Sequence, residues 1–147
     1  MTKVKGIYCL KKDEIIRGYN SFKNILTDSK IISNGFLKLN IQIKKEIRGS
    51  IENKIYKDPL ANVKVGFVVS KRIVRKASLR NRLKRLTREA YRLNKYLLIV
   101  IKDYKVFLLF SYSEYYKDSY INLKIDDVNE NMRLLLVKAT DFINKSK

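Results

Sequence analysis

The residues whose types and spacing could do chemistry are the cations between positions 80 and 92. Six Arg or Lys occur there against a single acidic residue, Glu89. An Arg guanidinium can bind phosphate oxygens through two hydrogen bonds, and Lys supplies a compact positive charge. Like charges four residues apart destabilise a helix, so a helix that needed only solubility would interleave Glu with Lys. The pattern therefore indicates a phosphate-binding surface, and a merely solvated basic face is the alternative.

The sequence offers no set of residues that would catalyse a reaction unaided. Histidine is absent, which removes the commonest general acid–base group and the commonest metal-ligand side chain. No carboxylates are spaced to pair on one face, and no Gly-rich phosphate loop or Cys/His metal site occurs. Asp126 and Asp127 are better explained as caps at a helix start. Glu89 is expected to form an orienting salt bridge near Arg82 rather than to act as a general base.

A strand, a basic loop and a helix must position these cations. The run Val65–Val69, broken only by Gly66, is apolar, β-branched and aromatic, which predicts a strand over 63–69. From Leu79 onward apolar residues recur at steps of four and three, which predicts a helix with Ser78 as its N-cap. The predicted buried stripe is Leu79, Leu83, Leu86, Ala90 and Leu93. The opposite side carries Asn81, Lys84, Arg85, Arg88 and Arg92.

The composition of the whole chain is strongly basic. Its 147 residues include 33 Lys plus Arg and 14 Asp plus Glu, a net charge of +19, which implies a polyanionic partner and favours nucleic acid. An anionic membrane surface or an acidic protein is the next candidate. Cys9 is the only cysteine, which fits a reducing compartment. No apolar run approaches the roughly 20 residues of a membrane span, and the first residues lack a signal peptide's apolar core, so we expect a cytoplasmic protein.

The remaining patterns predict one α+β domain over residues 1–147, with 1–14 as a loosely ordered arm. A helix is predicted over 20–27 and a second, amphipathic helix over 128–143. Strict alternation predicts a strand over 36–44, followed by a loop over 48–62; strand 63–69 is antiparallel to it if a hairpin joins them. Another strand is predicted over 106–112. Residues 96–101 fit either an added strand or a helix end.

A tyrosine-rich stretch follows the strand predicted over 106–112. It contains Tyr112, Tyr115, Tyr116 and Tyr120. Aromatic rings can stack on unpaired bases. A surface loop packed by its own tyrosines is the more ordinary explanation, and the sequence favours it.

Residues 69–92 carry one contiguous pattern that is more specific than a basic patch, because order, spacing and residue type agree together. It reads Val69-Ser70-Lys71-Arg72, Val74-Arg75-Lys76-Ala77, Arg80-Asn81-Arg82, Leu83-Lys84-Arg85-Leu86 and Arg88-Glu89-Ala90-Tyr91-Arg92. This pattern closely resembles the signature of the bacterial ribonuclease P protein component, with the preceding strand end and loop of that family. Outside this window the likeness is one of layout.

The resemblance implies that the chain is the protein subunit of ribonuclease P, a ribonucleoprotein endonuclease and hydrolase of tRNA processing. In that family a catalytic RNA removes the 5′ leader of precursor tRNA with bound Mg²⁺, and the protein docks on the RNA and holds the leader. The implied partners are therefore the catalytic RNA and precursor tRNA, with no membrane and no obligate protein partner. Mg²⁺ would be bound mainly by the RNA, and the chain would hold no cofactor of its own.

Residue roles carry over from the family only where positions match. Contacts to RNA are expected from the basic loop and helix at Lys71, Arg72, Arg75, Lys76, Arg80, Asn81, Arg82, Lys84, Arg85, Arg88 and Arg92. The family's leader cleft is lined by aromatic residues of the first helix and first strand, and Phe22 matches one of them. Leu26 and Leu39 stand where other members often have aromatics, so the resemblance implies no base stacking at these two positions. The predicted cleft comprises Phe22, Leu26, Phe36, Lys38 and Leu39.

The resemblance also implies a mixed four-stranded sheet covered by helices, with a βαβ crossover around the basic helix, as in ribonuclease P protein and some ribosomal proteins. A structural RNA-binding protein of ribosomal type, without a processing role, is the alternative function. A DNA or anionic-lipid partner is a third possibility that rests on charge alone.

Overall fold

The computed structural model describes residues 15–16, 19–45, 63–98 and 104–145, which contain three α-helices and four β-strands. Two 3₁₀ segments, Lys95–Leu97 and Glu114–Asn122, follow the second helix and the last strand. The predicted arm 1–14, which includes Cys9, lies outside the described residues, as do the loop 48–62 and positions 99–101. The main elements are α1 (Tyr19–Thr27), β1 (Lys30–Asn34), β2 (Leu37–Lys45), β3 (Val63–Phe67), α2 (Ala77–Asn94), β4 (Tyr104–Tyr112) and α3 (Ile125–Lys145).

The four strands form one mixed sheet in the order β1-β2-β4-β3. β2 pairs antiparallel with β1 and with β4, whereas β3 and β4 are parallel. Parallel neighbours need a long connection, and α2 lies within it, which confirms the predicted βαβ crossover and the α+β fold. β3 does not pair with β2, because β4 lies between them. The short strand β1, only half apolar, was not predicted.

The two faces of the sheet are covered by different helices. Val65, Leu108 and Phe110 point to the face covered by α2 and α3, which we call the α2/α3 face. Leu109 packs with Ile16 and Ile25 on the opposite, α1 face. Successive strand residues alternate between faces, so neighbouring positions of β2 and β4 serve two different surfaces.

The alternation predicted for β2 is confirmed, and the middle of this strand is buried on both faces. Leu37, Leu39 and Ile41 are buried on the α2/α3 face. Asn40 and Gln42, on the α1 face, are also buried; their amides donate to Ser29 Oγ (3.0 Å) and to the Asp28 carbonyl (3.2 Å). Burial of these amides is tolerated because each has a partner at the end of α1.

The basic helix α2 begins one residue before the predicted cap. It is also rotated about its axis, so that its buried side differs from the predicted stripe. Lys76 occupies the N-cap position without a side-chain hydrogen bond, so the prediction of Ser78 as the cap is wrong. Leu79 and Leu86 are only half-buried and Leu93 is 38% exposed. The fully covered side chains are Leu83, Thr87, Ala90, Tyr91 and Asn94.

The polar members of this buried stripe are satisfied within the helix. Thr87 Oγ1 donates to the Leu83 carbonyl at 2.7 Å, and Asn94 Nδ2 donates to the Ala90 carbonyl at 2.8 Å. A helical period traced through apolar residues alone cannot identify buried polar positions such as Thr87 and Asn94. It therefore places the stripe too far toward Leu79 and Leu93.

Helix α3 is amphipathic, as predicted; the last fully buried residue of its apolar stripe is Ile143, with Phe142 half-buried beside it. It starts at Ile125, so Asp126 and Asp127 lie in the first turn and neither is the N-cap. The Asp127 carboxylate instead accepts from the Lys124 N–H at 3.1 Å, which satisfies a backbone donor at the helix start.

Candidate nucleic-acid interface

The loop between β3 and α2 holds its cations outward through a compact turn. The Ser70 carbonyl accepts from the N–H groups of Ile73 (3.2 Å) and Val74 (3.0 Å), and Ser70 Oγ accepts from the Arg72 N–H (3.1 Å). Val74 is buried and anchors the turn in the core. The predicted RNA-binding residues of this loop are all exposed: Lys71, Arg72, Arg75 and Lys76.

Two arginines of the signature hold the chain together. Arg80 Nη1 donates to the carbonyls of Val74 (3.1 Å) and Arg75 (2.7 Å), which ties the loop to the first turn of α2. Arg82 Nη2 donates to the Leu123 carbonyl at 2.6 Å. Both side chains are half-buried. These geometries assign Arg80 and Arg82 a structural task in addition to any contact with RNA.

Glu89 pairs with Arg92, one helical turn further on. Arg92 Nε donates to Glu89 Oε2 at 3.1 Å, and a second guanidinium nitrogen donates to Oε1. These hydrogen bonds hold the pKa of the Glu89 carboxyl below its usual value. The predicted orienting salt bridge exists, but its expected partner Arg82 is wrong, because Arg82 reaches toward Leu123.

The other cations of α2 face outward, and the neutral Asn81 lies among them. Asn81, Arg85 and Arg88 are exposed at intervals of four and three residues, which aligns them along one helical stripe, with half-buried Lys84 beside it. The Arg88 guanidinium lies 5.9 Å from the centre of the Phe67 ring. Within the described part of the chain, no carboxylate pairs with Lys84, Arg85 or Arg88.

The loop cations and this stripe together form what we call the basic surface. Its one ion pair with the rest of the described chain joins Arg72 to Glu114 at 3.3 Å, and both side chains are more than half exposed. An exposed pair of this kind contributes little, about 0–1 kcal/mol, so a phosphate could replace Glu114. The basic surface consists of Lys71, Arg72, Arg75, Lys76, Asn81, Lys84, Arg85 and Arg88.

A second surface lies on the α1 face of the sheet. Phe22 packs there against the cluster formed by Ile16, Ile25 and Leu109, together with half-buried Val68 and Phe107. The approach is close, because a Cβ added at Gly66 would lie 2.8 Å from Phe22 Cε1 and 2.9 Å from Leu109 Cδ1.

Two lysine side chains lie close to the aromatic ring of Phe107 on this face. Lys44 Nζ lies 5.6 Å and Lys105 Nζ 5.9 Å from the centre of the half-buried Phe107 ring. Lys38, on the same face of β2, is half-buried. We call this set the α1 surface: Phe22, Phe107, Lys38, Lys44 and Lys105.

The structure does not bring the five predicted cleft residues together. Phe22 and Lys38 lie on the α1 face, and Leu26 is exposed on α1 itself. Leu39 has no exposed surface and lies under α2 and α3, while Phe36 stacks on Tyr112 at a centroid distance of 5.9 Å on that same side. Grouping Leu39 and Phe36 with Phe22 is therefore wrong. Alternation along β2 sends Leu39 to the face opposite Lys38. Phe36 precedes the strand and packs on Tyr112 and Tyr120.

Comparison with known proteins agrees with this geometry. A family model described as ribonuclease P matches residues 10–139 of the chain. The chain belongs to the ribonuclease P protein family. The signature resemblance in residues 69–92 thus extends over most of the sequence, including both surfaces described above.

Curated relatives within the ribonuclease P family are moderately similar. The ribonuclease P protein component of Chlorobaculum tepidum is 34% identical over 98 residues, which is 67% of this chain and 58% of that protein. The component of Nitrosomonas eutropha is 33% identical over 86 residues, 58% of this chain and 61% of that protein. The chain thus matches about three fifths of the length of each relative.

Solved ribonuclease P proteins share the fold. The protein from Thermotoga maritima superimposes with a TM-score of 0.60 at 22% identity, covering 85% of this chain and 96% of that one. The Staphylococcus aureus protein gives a TM-score of 0.56 at 17% identity, covering 86% and 94%. The mixed four-stranded sheet with its covering helices is therefore the ribonuclease P protein fold.

Sequence reasoning missed Phe107, Lys44 and Lys105 as members of a ribonuclease P protein surface. A usable signal existed, since Phe107 alternates with the core residues Val106 and Leu108 and must point to the other face. What the sequence could not show is that β4 lies beside β2, which brings Lys44 opposite Lys105.

Proposed function

We propose that this chain is the protein subunit of a ribonuclease P ribonucleoprotein. Its basic surface docks on the catalytic RNA, and its α1 surface holds the 5′ leader of precursor tRNA while the leader is cut off. The observation that carries the proposal is a stripe of cations on α2 that no described carboxylate neutralises, in a chain that belongs to this family.

The basic surface suits a structured RNA. Each phosphate neutralised by a Lys or Arg releases condensed counterions, so affinity should fall steeply as salt is raised. Arg85 and Arg88 present guanidinium groups that can bind phosphate oxygens in pairs. A protein with a net charge of +19 also screens the repulsion between two polyanions, the catalytic RNA and its substrate.

The α1 surface suits a single-stranded leader. Unpaired bases stack on aromatic rings, and half-buried Phe22 and Phe107 offer two rings that pack against the same apolar cluster. Lys44 and Lys105, which are paired across β2 and β4 beside Phe107, would meet the leader phosphates. The sheet separates this surface from α2, so the chain can hold two RNAs at once.

We assign bond cleavage to the RNA partner with its Mg²⁺, which supplies the hydrolytic chemistry. In the described ranges no group of three or more His, Cys, Asp or Glu side chains is placed to hold a metal ion. The described residues thus offer no such cluster for a resident Mg²⁺, and we propose that their part is to bind and orient RNA. We propose that this takes place in the cytoplasm, which a chain with one cysteine suits. None of the helices described is both long and apolar enough to cross a bilayer.

A cleavage assay at low Mg²⁺ tests the proposal. The chain alone should leave precursor tRNA intact, whereas adding it to its ribonuclease P RNA should raise the cleavage rate and lower the Mg²⁺ requirement. The Arg85→Ala, Arg88→Ala double variant is the matched control, since it keeps the fold and should lose most of the stimulation. An unchanged rate and Mg²⁺ requirement would contradict the proposal. Ribosomal RNA as the main co-purifying species would point to a structural RNA-binding role instead.

A further inference from the structure

Two neighbouring tyrosines in the 3₁₀ segment Glu114–Asn122 expose their aromatic rings to solvent. Tyr115 is 87% exposed and its neighbour Tyr116 is 39% exposed. Their rings meet edge to face, with centroids 4.9 Å apart and an interplanar angle of 77°. The pair lies outside the signature pattern and takes no part in the two surfaces described above.

The segment that carries this tyrosine pair is held in place by hydrogen bonds and by a buried ring. Ser113 Oγ accepts from the Tyr115 N–H at 3.3 Å, and Ser119 Oγ donates to the Tyr116 carbonyl at 2.7 Å. Tyr120, at the other end of the segment, is fully buried and packs edge to face on Tyr112 with centroids 5.0 Å apart. The segment is thus anchored in the core, while Tyr115 projects from it.

The pair lies beside the basic surface. β3 and β4 are parallel, so the segments that follow them start at the same end of the sheet. There the Val68 N–H donates to the Phe110 carbonyl at 2.9 Å. The Glu114 carboxylate then meets the Arg72 guanidinium at 3.3 Å. An exposed aromatic pair therefore adjoins the loop that carries Lys71, Arg72 and Arg75.

We propose that Tyr115 and Tyr116 form a stacking platform for an unpaired nucleotide of the catalytic RNA. This inference rests on the proposed function of the basic surface and adds a contact that charge alone does not provide. Stacking needs an aromatic face, which Tyr115 presents to solvent, and a neighbouring phosphate needs a cation, which Arg72 supplies on releasing Glu114. The leader is not the occupant, because its proposed surface lies on the other face of the sheet.

Substitutions of Tyr115 test the platform directly. Tyr115→Ala should weaken binding of in vitro transcribed ribonuclease P RNA by about 5- to 150-fold, the range for loss of one base–aromatic stack, without changing the slope against salt. Tyr115→Phe keeps the ring and should bind within about twofold of the unchanged chain. The matched control is Tyr96→Ala, which removes a 55% exposed ring at the far end of α2. Equal affinity of Tyr115→Ala and the unchanged chain would overturn the platform.

A fluorescence measurement separates the platform from the proposed function. The chain has no tryptophan, so Tyr115→Trp introduces a single reporter and Tyr96→Trp a matched control. Stacking on a base should quench the emission of Tyr115→Trp on adding the RNA, with little change for Tyr96→Trp. RNA that binds without quenching overturns the platform and leaves the proposed function standing. RNA that binds neither variant nor the unchanged chain overturns both.

Discussion

Arg82, in the second turn of the basic helix, donates a hydrogen bond of 2.6 Å to the backbone carbonyl of Leu123, two residues before α3 begins. This contact divides the arginines of α2 into two groups. Arg80 and Arg82 hold backbone carbonyls of their own chain, whereas Arg85 and Arg88 face solvent without a described carboxylate partner. Signature residues that look equivalent in the sequence therefore have different physical tasks.

Arg82→Ala should destabilise the fold more than it weakens RNA binding. The substitution leaves the Leu123 carbonyl without its charged donor, and a hydrogen bond to a charged group contributes about 1.5–3 kcal/mol. We expect a lower free energy of unfolding in urea and a nearly unchanged dependence of RNA affinity on salt. Arg85→Ala is the matched control with the opposite outcome. A flattened salt dependence for Arg82→Ala at unchanged stability would show that Arg82 contacts phosphate instead.

The double variant Arg85→Ala, Arg88→Ala should weaken RNA binding with the fold intact. Each lost phosphate contact lowers the slope of log affinity against log salt by about 1, so the slope should fall by about 2. Filter binding at several salt concentrations measures the slope, and thermal melting checks stability. The double variant Arg85→Lys, Arg88→Lys, which keeps both charges, should retain most of the slope. An unchanged slope for the alanine variant would remove these two residues from the interface.

Leu83 and Leu86 should differ sharply when each is replaced by alanine. Leu83 has no exposed surface, so Leu83→Ala leaves a cavity and should cost about 2–5 kcal/mol. Leu86 is half-buried, so Leu86→Ala should cost distinctly less. Equilibrium unfolding in urea gives both values. Equal losses would show that α2 is rotated on its axis relative to the orientation described here.

The sequence was sufficient where a regular period or a specific pattern existed. Alternation identified β2, helical periods identified α2 and α3, and the order of residues 69–92 identified the family. It failed where burial depends on partners distant in the chain. Thr87 and Asn94 are buried against Tyr112 and Asn129, which hydrogen-bond to them from distant parts of the chain. Likewise, β4 lies between β2 and β3 because of long-range packing. The predicted leader cleft was in error for Phe36 and Leu39 for the same reason, since a family's aromatic positions do not specify a face.

Gly66→Ala should disturb the α1 surface without touching the basic surface. The added methyl group would lie 2.8 Å from Phe22 Cε1, which is closer than van der Waals contact allows, so the Phe22 ring must move. We expect weaker binding of precursor tRNA with a leader to the assembled ribonucleoprotein, with unchanged affinity for mature tRNA and for the catalytic RNA. Phe22→Ala should act in the same direction. Equal effects on leader-bearing and mature tRNA would contradict the assignment of the leader to this face.

Tyr112 should make the stability of the fold depend on pH in the alkaline range. Burial raises the pKa of its phenol to about 12, partly offset by the Thr87 hydroxyl 2.5 Å away and by the charge of Arg82. Because the folded pKa lies above the ordinary value near 10, the stabilisation is intact below pH 10 and is lost as the pH rises through 12.

The unchanged chain should therefore lose about 1 kcal/mol more than Tyr112→Phe between pH 9 and 11 in urea unfolding. Comparing the two proteins cancels the lysines, because both contain them. It also cancels most of the contribution of Tyr120, whose pKa is raised by burial first and by the neighbouring Tyr112 second. Tyr112→Phe should be the less stable protein at pH 7, since it gives up the hydrogen bonds to Thr87 and to the Leu83 carbonyl. Parallel loss of stability in both proteins would mean that the Tyr112 phenol ionises as readily in the folded chain as in the unfolded one.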